Sequence, residues 1–340
     1  MNKTALKTVL AKRPITLSLL LVSLAVGGLL HLNSGSLQID FFALQQGLNT
    51  QQSLVLWELR LPRVLLVMVV GAGLAVAGVA LQALFRNPLA EPGLIGVSSS
   101  AALGTVFVMV LGGFFWQEIQ FWYMAVAAFI TAGLTTLLIY RLATRYGKTD
   151  VALMLLAGVA INAIAGAATQ LLITVSDDTQ LRSVTFWMMG SFANIDWFAV
   201  LIIGLTTSII GVLLWRLAKP LNAFMLGENI CMHMGYDPAK LKWKVMWGSA
   251  LMLGVAVATV GVIGFVGLIV PHIVRLMVGA DHRQLIPFSA LAGAVLLVWA
   301  DWFAKTLIAP SELPIGLLMA LIGGPFFLLM LVQQRKGWQS

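Results

Sequence analysis

Charge is scarce in this chain. Only 10% of its 340 residues are Asp, Glu, Lys or Arg, while 60% are hydrophobic and the mean hydropathy is +0.95. A soluble domain of this size carries far more charge on its surface. Cys231 is the one cysteine, which excludes an intrachain disulfide. The four histidines (His31, His233, His272, His282) are scattered and lack metal-ligand spacing. A phosphate-binding loop is missing as well. Gly147-Lys148-Thr149 resembles the end of one, but the position five residues before Gly147 is Leu142, not glycine. The chain therefore does not bind and hydrolyse ATP by that route.

What the chain has instead is apolar length. Nine apolar stretches of 17–30 residues contain no Asp, Glu, Lys or Arg, against the roughly 20 residues that cross a bilayer core. The spans expected are Ile15–Leu32, Val64–Leu84, Leu94–Gly112, Phe121–Leu142, Val151–Val175, Phe198–Leu217, Trp243–Val262, Gly264–Val278, Pro287–Lys305 and Ile315–Val332. The run between Lys244 and Arg275 is split in two because Gly261, Gly264, Gly267 and Pro271 interrupt it. Charge placement supports the split. With ten spans and a cytoplasmic N-terminus, 17 of the 21 basic residues fall inside, leaving Arg60, Arg63, Arg182 and Lys305 outside. Basic residues grouped at span ends also make the net charge of +8 a matter of membrane orientation, not of nucleic-acid binding. Lys3, Lys7, Lys12 and Arg13 before an apolar stretch resemble a signal peptide, but the stretch is too long and is read as an uncleaved first span. The fold class is thus an all-α polytopic membrane protein of about ten transmembrane helices, with residues 1–340 forming a single transmembrane domain.

The spans offer almost no ionisable residue for proton or sodium coupling. Asp301 and Lys305 stand at i, i+4 near an outer helix end and are expected to pair with each other. Any uphill transport must draw its energy from a partner. Two segments outside the membrane stand out. The cytoplasmic stretch 219–244 mixes Phe224, Met225, Met232 and Met234 with Gly227 and Gly235, and the periplasmic stretch 176–196 carries Asp177, Asp178, Arg182 and Trp187-Met188-Met189. The fifth span is rich in small residues, among them Ala157, Gly158, Ala163 and Gly166, which allow close helix packing or leave room for a pathway.

Several motifs, in order over most of the chain, resemble one family. They are LRLPRVLL at Leu59–Leu66, RNPLAEPGLIGVSS at Arg86–Ser99, LLAGVAIN at Leu155–Asn162 and WMMGS at Trp187–Ser191. LGENICMHMG at Leu226–Gly235, GFVGLIVPHIVRL at Gly264–Leu276, GADHRQLIP at Gly279–Pro287 and APSELPIG at Ala309–Gly316 complete the set. On these the chain resembles the FecCD-type permeases, membrane subunits of type II ABC importers for ferric siderophores, haem and cobalamin. That resemblance implies a ten-helix subunit in the bacterial inner membrane, both termini cytoplasmic, working as a homodimer with two cytoplasmic ATPase subunits and a periplasmic substrate-binding protein. No cofactor of its own is implied: Mg-ATP sits on the partner ATPase, and haem or another iron chelate passes as cargo.

The resemblance also assigns residues. Leu226, Gly227, Glu228 and Gly235 match the segment that docks into the ATPase, although many relatives carry a second acid where this chain has Asn229. Arg60 and Arg63 match the exposed basic residues that hold acidic groups of the binding protein. Lys305 stands at the third such position, where many relatives have arginine, and Val262 replaces a common proline. SDDTQLR at Ser176–Arg182 and INAIAGAA at Ile161–Ala168 resemble the haem branch of the family, with ferric siderophore and cobalamin as the alternatives. The pathway is expected to take Asn162 and Gly166 from the fifth span and Arg182 and Met188 from the periplasmic segment. Arg182 has two uses open to it: meeting haem propionates, or pairing with Asp178 one turn earlier.

Overall fold

The structure is a computed structural model that describes residues 3–35, 50–91, 93, 96–114, 121–145, 148–193 and 195–337. Leu94, the expected start of the third span, and Gly147 lie outside the described residues. The chain is helical almost throughout: α1 (Lys3–Asn33), α2 (Thr50–Leu54), α3 (Leu61–Leu84), α4 (Val97–Leu111), α5 (Phe121–Ala143), α6 (Val151–Thr174) and α7 (Asp178–Met188). These are followed by α8 (Trp197–Arg216), α9 (Ala218–Met225), α10 (Glu228–His233), α11 (Pro238–Val260), α12 (Val266–Val278), α13 (His282–Thr306) and α14 (Ile315–Gly337). Between α5 and α6 the backbone forms a two-residue antiparallel pair, Thr144–Arg145 with Lys148–Thr149.

Each expected span coincides with one helix. Among the described residues seven helices are long and apolar enough to cross a bilayer, and Val97–Leu111, Val266–Val278 and Ile315–Met330 are shorter apolar helices. The split after Val260 is real. Gly261 takes φ of 75°, Phe265 takes φ of 68°, and α12 begins only at Val266. Pro271 sits within α12 and does not end it.

Aspartate provides much of the local punctuation. Asp150, Asp177, Asp196, Asp237 and Asp281 each precede a helix, and each side chain accepts from backbone N–H groups of its first turn. Five of the chain's few acids are therefore committed to helix starts.

The centre of the fold is α3, whose most apolar stretch is 78% buried. It crosses α13 where Gly71 and Gly293 meet: a Cβ on Gly71 would lie 2.3 Å from the Gly293 carbonyl oxygen, so only glycine fits. By contrast the equivalent stretch of α8 is 17% buried and exposes Leu201, Leu205, Ile209 and Val212, spaced to form one apolar face. Such a stripe suits lipid tails. At 24 residues, α3 spans about 36 Å, so its two ends lie on opposite sides of a bilayer core. Arg63 is at one end, and Arg86, beside Glu228, lies just past the other.

Three loops are knitted together on the side where α7, α11 and α14 meet. Ser191 N–H donates to Val260, Ile315 N–H to Gly190 and Gly316 N–H to Met189, at 2.9–3.1 Å. The WMMGS motif is thus a backbone splice between the end of α11 and the start of α14.

Candidate functional sites at the two ends of the bundle

At the Arg63 end the basic residues found in the sequence come together, but not in the manner expected. Arg63 Nε and Nη2 donate to the two carboxylate oxygens of Asp301 at 2.8 and 3.0 Å. This is a two-pronged pairing that fixes the guanidinium plane. His31 Nε2 lies 2.7 Å from the same carboxylate, and because a carboxylate only accepts, that nitrogen carries the proton. Asp301 is 1% exposed and His31 is fully buried. The third guanidinium nitrogen, Nη1, lies 2.9 Å from the carboxylate of Glu312.

Two expectations are corrected here. Asp301 does not pair with Lys305. Its oxygens are taken by Arg63 and His31, while Lys305 Nζ donates to the Ser34 carbonyl at 2.7 Å. Two converging N–H groups on a planar fork outcompete one ammonium from the next turn. Nor are Arg60 and Arg63 exposed contacts. Arg60 is 5% exposed and donates to the Leu32 carbonyl at 2.6 Å, and the Arg63 side chain is 11% exposed. Burying these groups ties the end of α1 to α3 and α13, a tie that Trp302 reinforces by donating to the Ser34 hydroxyl at 2.7 Å. What faces out is a cavity of about 750 Å³ lined by Arg60, Arg63, Lys305 and Glu312 together with Val55, Leu59, Phe192 and Pro310. All three expected docking residues therefore reach one cavity.

At the other end α9 and α10 form a helical hairpin that turns at Gly227, whose φ of 130° is open to glycine and strained for other residues. Gly235, at φ of 82°, turns the chain out of α10. The inner face of this hairpin is firmly mounted. Leu221, Phe224 and Cys231 are buried, and Arg86 lies over the Phe224 ring at 4.6 Å. Asn222 donates to Asp281 at 2.7 Å and accepts from the His282 backbone at 3.0 Å, joining α9 to the start of α13. Burial pushes the Asp281 carboxyl up, but hydrogen bonds from Arg283 and Asn222 outweigh it and hold the pKa at about 2. Glu228 accepts from Lys242 Nζ at 3.0 Å; that lysine is only 3% exposed. Glu228 is therefore a foot of the hairpin on α11, a role its motif did not reveal.

The outer face of the hairpin is apolar and uncovered. Met225, Leu226, Ile230, Met232 and Met234 are 43–65% exposed. Exposed apolar side chains grouped on a rigid mount suit contact with a protein or a membrane. Beside them a cavity of about 510 Å³ is lined by Gln82, Asn222, Met225, Arg275 and His282.

The four expected pathway residues are not gathered in one place. Asn162 accepts from Ser99 Oγ at 2.5 Å and donates to the Gly93 carbonyl at 3.1 Å, tying α6 to the chain entering α4. Gly166, one turn on, is exposed, and a Cβ placed there would meet open space. Arg182 is exposed on α7, and Met188 ends that helix. Among the described residues no ion pair joins Arg182 to Asp178. Sequence reasoning missed His31, Glu312, Lys242 and Asn222. The available signal was that His31 and Lys242 are polar residues inside or beside apolar runs, where burial demands a partner.

Among the described residues, seven helices long enough to cross a bilayer and three shorter apolar ones, with an apolar plate at one end and a basic cavity at the other, fit a membrane-embedded transport subunit. More specifically, the chain belongs to the FecCD transport family, whose family model matches residues 15–333. Hemin transport system permease protein HmuU of Yersinia pestis is 43% identical over 327 residues, covering 94% of this chain and 95% of that protein. Vitamin B12 import system permease protein BtuC of Vibrio cholerae is 40% identical over 306 residues, covering 89% of each. A solved structure of a metal-chelate type ABC transporter in an inward-facing conformation superposes with a TM-score of 0.84 at 31% identity, covering 94% of this chain and 99% of that one.

Proposed function

We propose that this chain is the transmembrane subunit of a binding-protein-dependent importer that carries haem across the bacterial inner membrane. It forms one permease unit, paired with a second copy, with both termini in the cytoplasm. The observation that carries the energy-coupling part is the apolar plate of Met225, Leu226, Ile230, Met232 and Met234 on its fixed mount, which suits a groove on a partner ATPase. Mg-ATP is bound and hydrolysed there, and this chain performs no chemistry itself. The cavity holding Arg60, Arg63 and Lys305 receives acidic side chains of a periplasmic binding protein.

The haem reading is supported by the 43% identity to the hemin permease. It is also supported by Arg182, whose exposed guanidinium is available to propionates along the route. The vitamin B12 permease at 40% identity carries a second reading, a corrinoid cargo. Reconstitution decides between them. The permease is placed in proteoliposomes with its ATPase, a binding protein is added, and uptake of haem, cobalamin and a ferric siderophore is compared. Haem uptake that requires ATP and the binding protein supports the first reading. ATP-dependent uptake of cobalamin alone establishes the second.

A further inference from the structure

Arg63 is gripped from one side. Asp301 takes Nε and Nη2, and with a side-chain exposure of 2% it is walled off from water. Nη1 remains, pointing to the cavity that Arg60 and Lys305 also line, and it meets Glu312 at 2.9 Å. The two carboxylates on this arginine differ in kind. Asp301 is internal, whereas the Glu312 side chain is 38% exposed, so its contact is screened and weak. The backbone carrying Glu312 does not depend on that contact. Leu313 N–H donates to the Ala304 carbonyl at 2.9 Å and Ser311 N–H to Ile308 at 3.1 Å, which holds the turn whether or not the side chain stays.

We propose that Glu312 is the resident occupant of a carboxylate socket, and that a docking partner inserts an acidic side chain at Arg63 Nη1 by displacing it. Docking is then an exchange of one carboxylate for another. The inference rests on the reading of this cavity as the binding-protein contact. Exchange has a consequence for selectivity. An acid that reaches Arg63 alone merely replaces what is already there and gains little. A partner gains only if its acids also engage Arg60 or Lys305, so the resident glutamate filters out partners with a single matching charge.

The test measures docking of the fluorescently labelled binding protein, the one that supports uptake in the assay above, to the permease–ATPase complex in lipid nanodiscs. Glu312→Gln removes the competitor's charge while keeping its size and exposure. Docking should tighten about 1.5- to 5-fold, the value of one exposed ion pair, and more at low ionic strength. In an Arg63→Lys background the charge is kept but the planar fork that grips Asp301 while presenting Nη1 to the cavity is lost, so Glu312→Gln should tighten docking less than it does beside Arg63. Lys305→Gln tests the underlying reading and should weaken docking. If it does so while Glu312→Gln docks no better than wild type, the exchange is refuted and the docking reading stands. If neither Lys305→Gln nor Glu312→Gln changes docking, the cavity is not the contact and both ideas fall.

Discussion

At the Arg63 end the charged side chains are turned into the bundle and against one another, whereas at the Glu228 end large apolar side chains are turned out. The first arrangement builds structure: α1, α3 and α13 meet on Asp301, and little charge is left facing outward. The second builds contact: one buried lysine and one asparagine mount a hairpin whose outer face is uncovered. Residue type alone therefore misleads about role. Arginines that look like surface hooks are mainly girders, and methionines, an apolar residue type, form an exposed face.

The largest effect should follow from breaking the girder. Arg63→Ala or Asp301→Asn leaves opposite charge buried without its two-pronged partner, which costs about 3–5 kcal/mol. Thermal unfolding in detergent should show a large fall in midpoint, with Arg63→Lys falling less because the charge is kept. If both substitutions leave the midpoint unchanged, the network does not hold this end together.

A smaller loss is expected at the foot of the hairpin. Glu228→Ala takes the carboxylate away from the ammonium of buried Lys242, at a cost of about 1–3 kcal/mol. Transport should fall while the membrane-embedded bundle survives, and Glu228→Gln should restore part of both. Susceptibility of the 219–244 segment to protease reads the effect directly. Unchanged proteolysis in Glu228→Ala would mean that the hairpin is mounted by other contacts.

Leu226→Ser and Met232→Ser sharpen the contrast. Both positions are over half exposed, so stability should move by no more than about 0.5 kcal/mol. ATPase association should nevertheless weaken, as it does when apolar anchors leave an interface. Normal association would show that the plate contacts something else.

Acid sensitivity gives the smallest effect. Asp281 has a pKa of about 2 in the folded chain against an ordinary 3.8. It contributes stability above pH 3.8 that is lost as the pH falls toward 2. Asp281→Asn should flatten this part of the pH–stability curve and leave the curve above about pH 5 with the same shape. A wild-type slope in the variant would assign the effect to another group.

Much of this contrast could be read from the sequence, and the rest had a physical reason to stay hidden. The apolar helices were legible because a bilayer imposes similar length and composition on every crossing. The break between α11 and α12 was legible because glycines cluster there and the charge distribution requires a turn. The hairpin was legible as a distinct segment because Phe224, Met225, Met232 and Met234 stand there beside Gly227 and Gly235, outside any span. Asp301 was misread because local spacing offered Lys305, whereas the winning partner, Arg63, is 238 residues away. Pairings of that separation leave no periodic trace. The same holds for His31 on Asp301 and for Asn222 on Asp281, where only the fold brings the groups together.

The most direct measurement for the whole reading is haem uptake into proteoliposomes containing the permease, with and without its ATPase, in the presence of the binding protein. The expected result is uptake that needs ATP and the ATPase, and that is lost in Leu226→Ser while the protein stays folded. Haem accumulation driven by a proton or sodium gradient in the absence of the ATPase would contradict it.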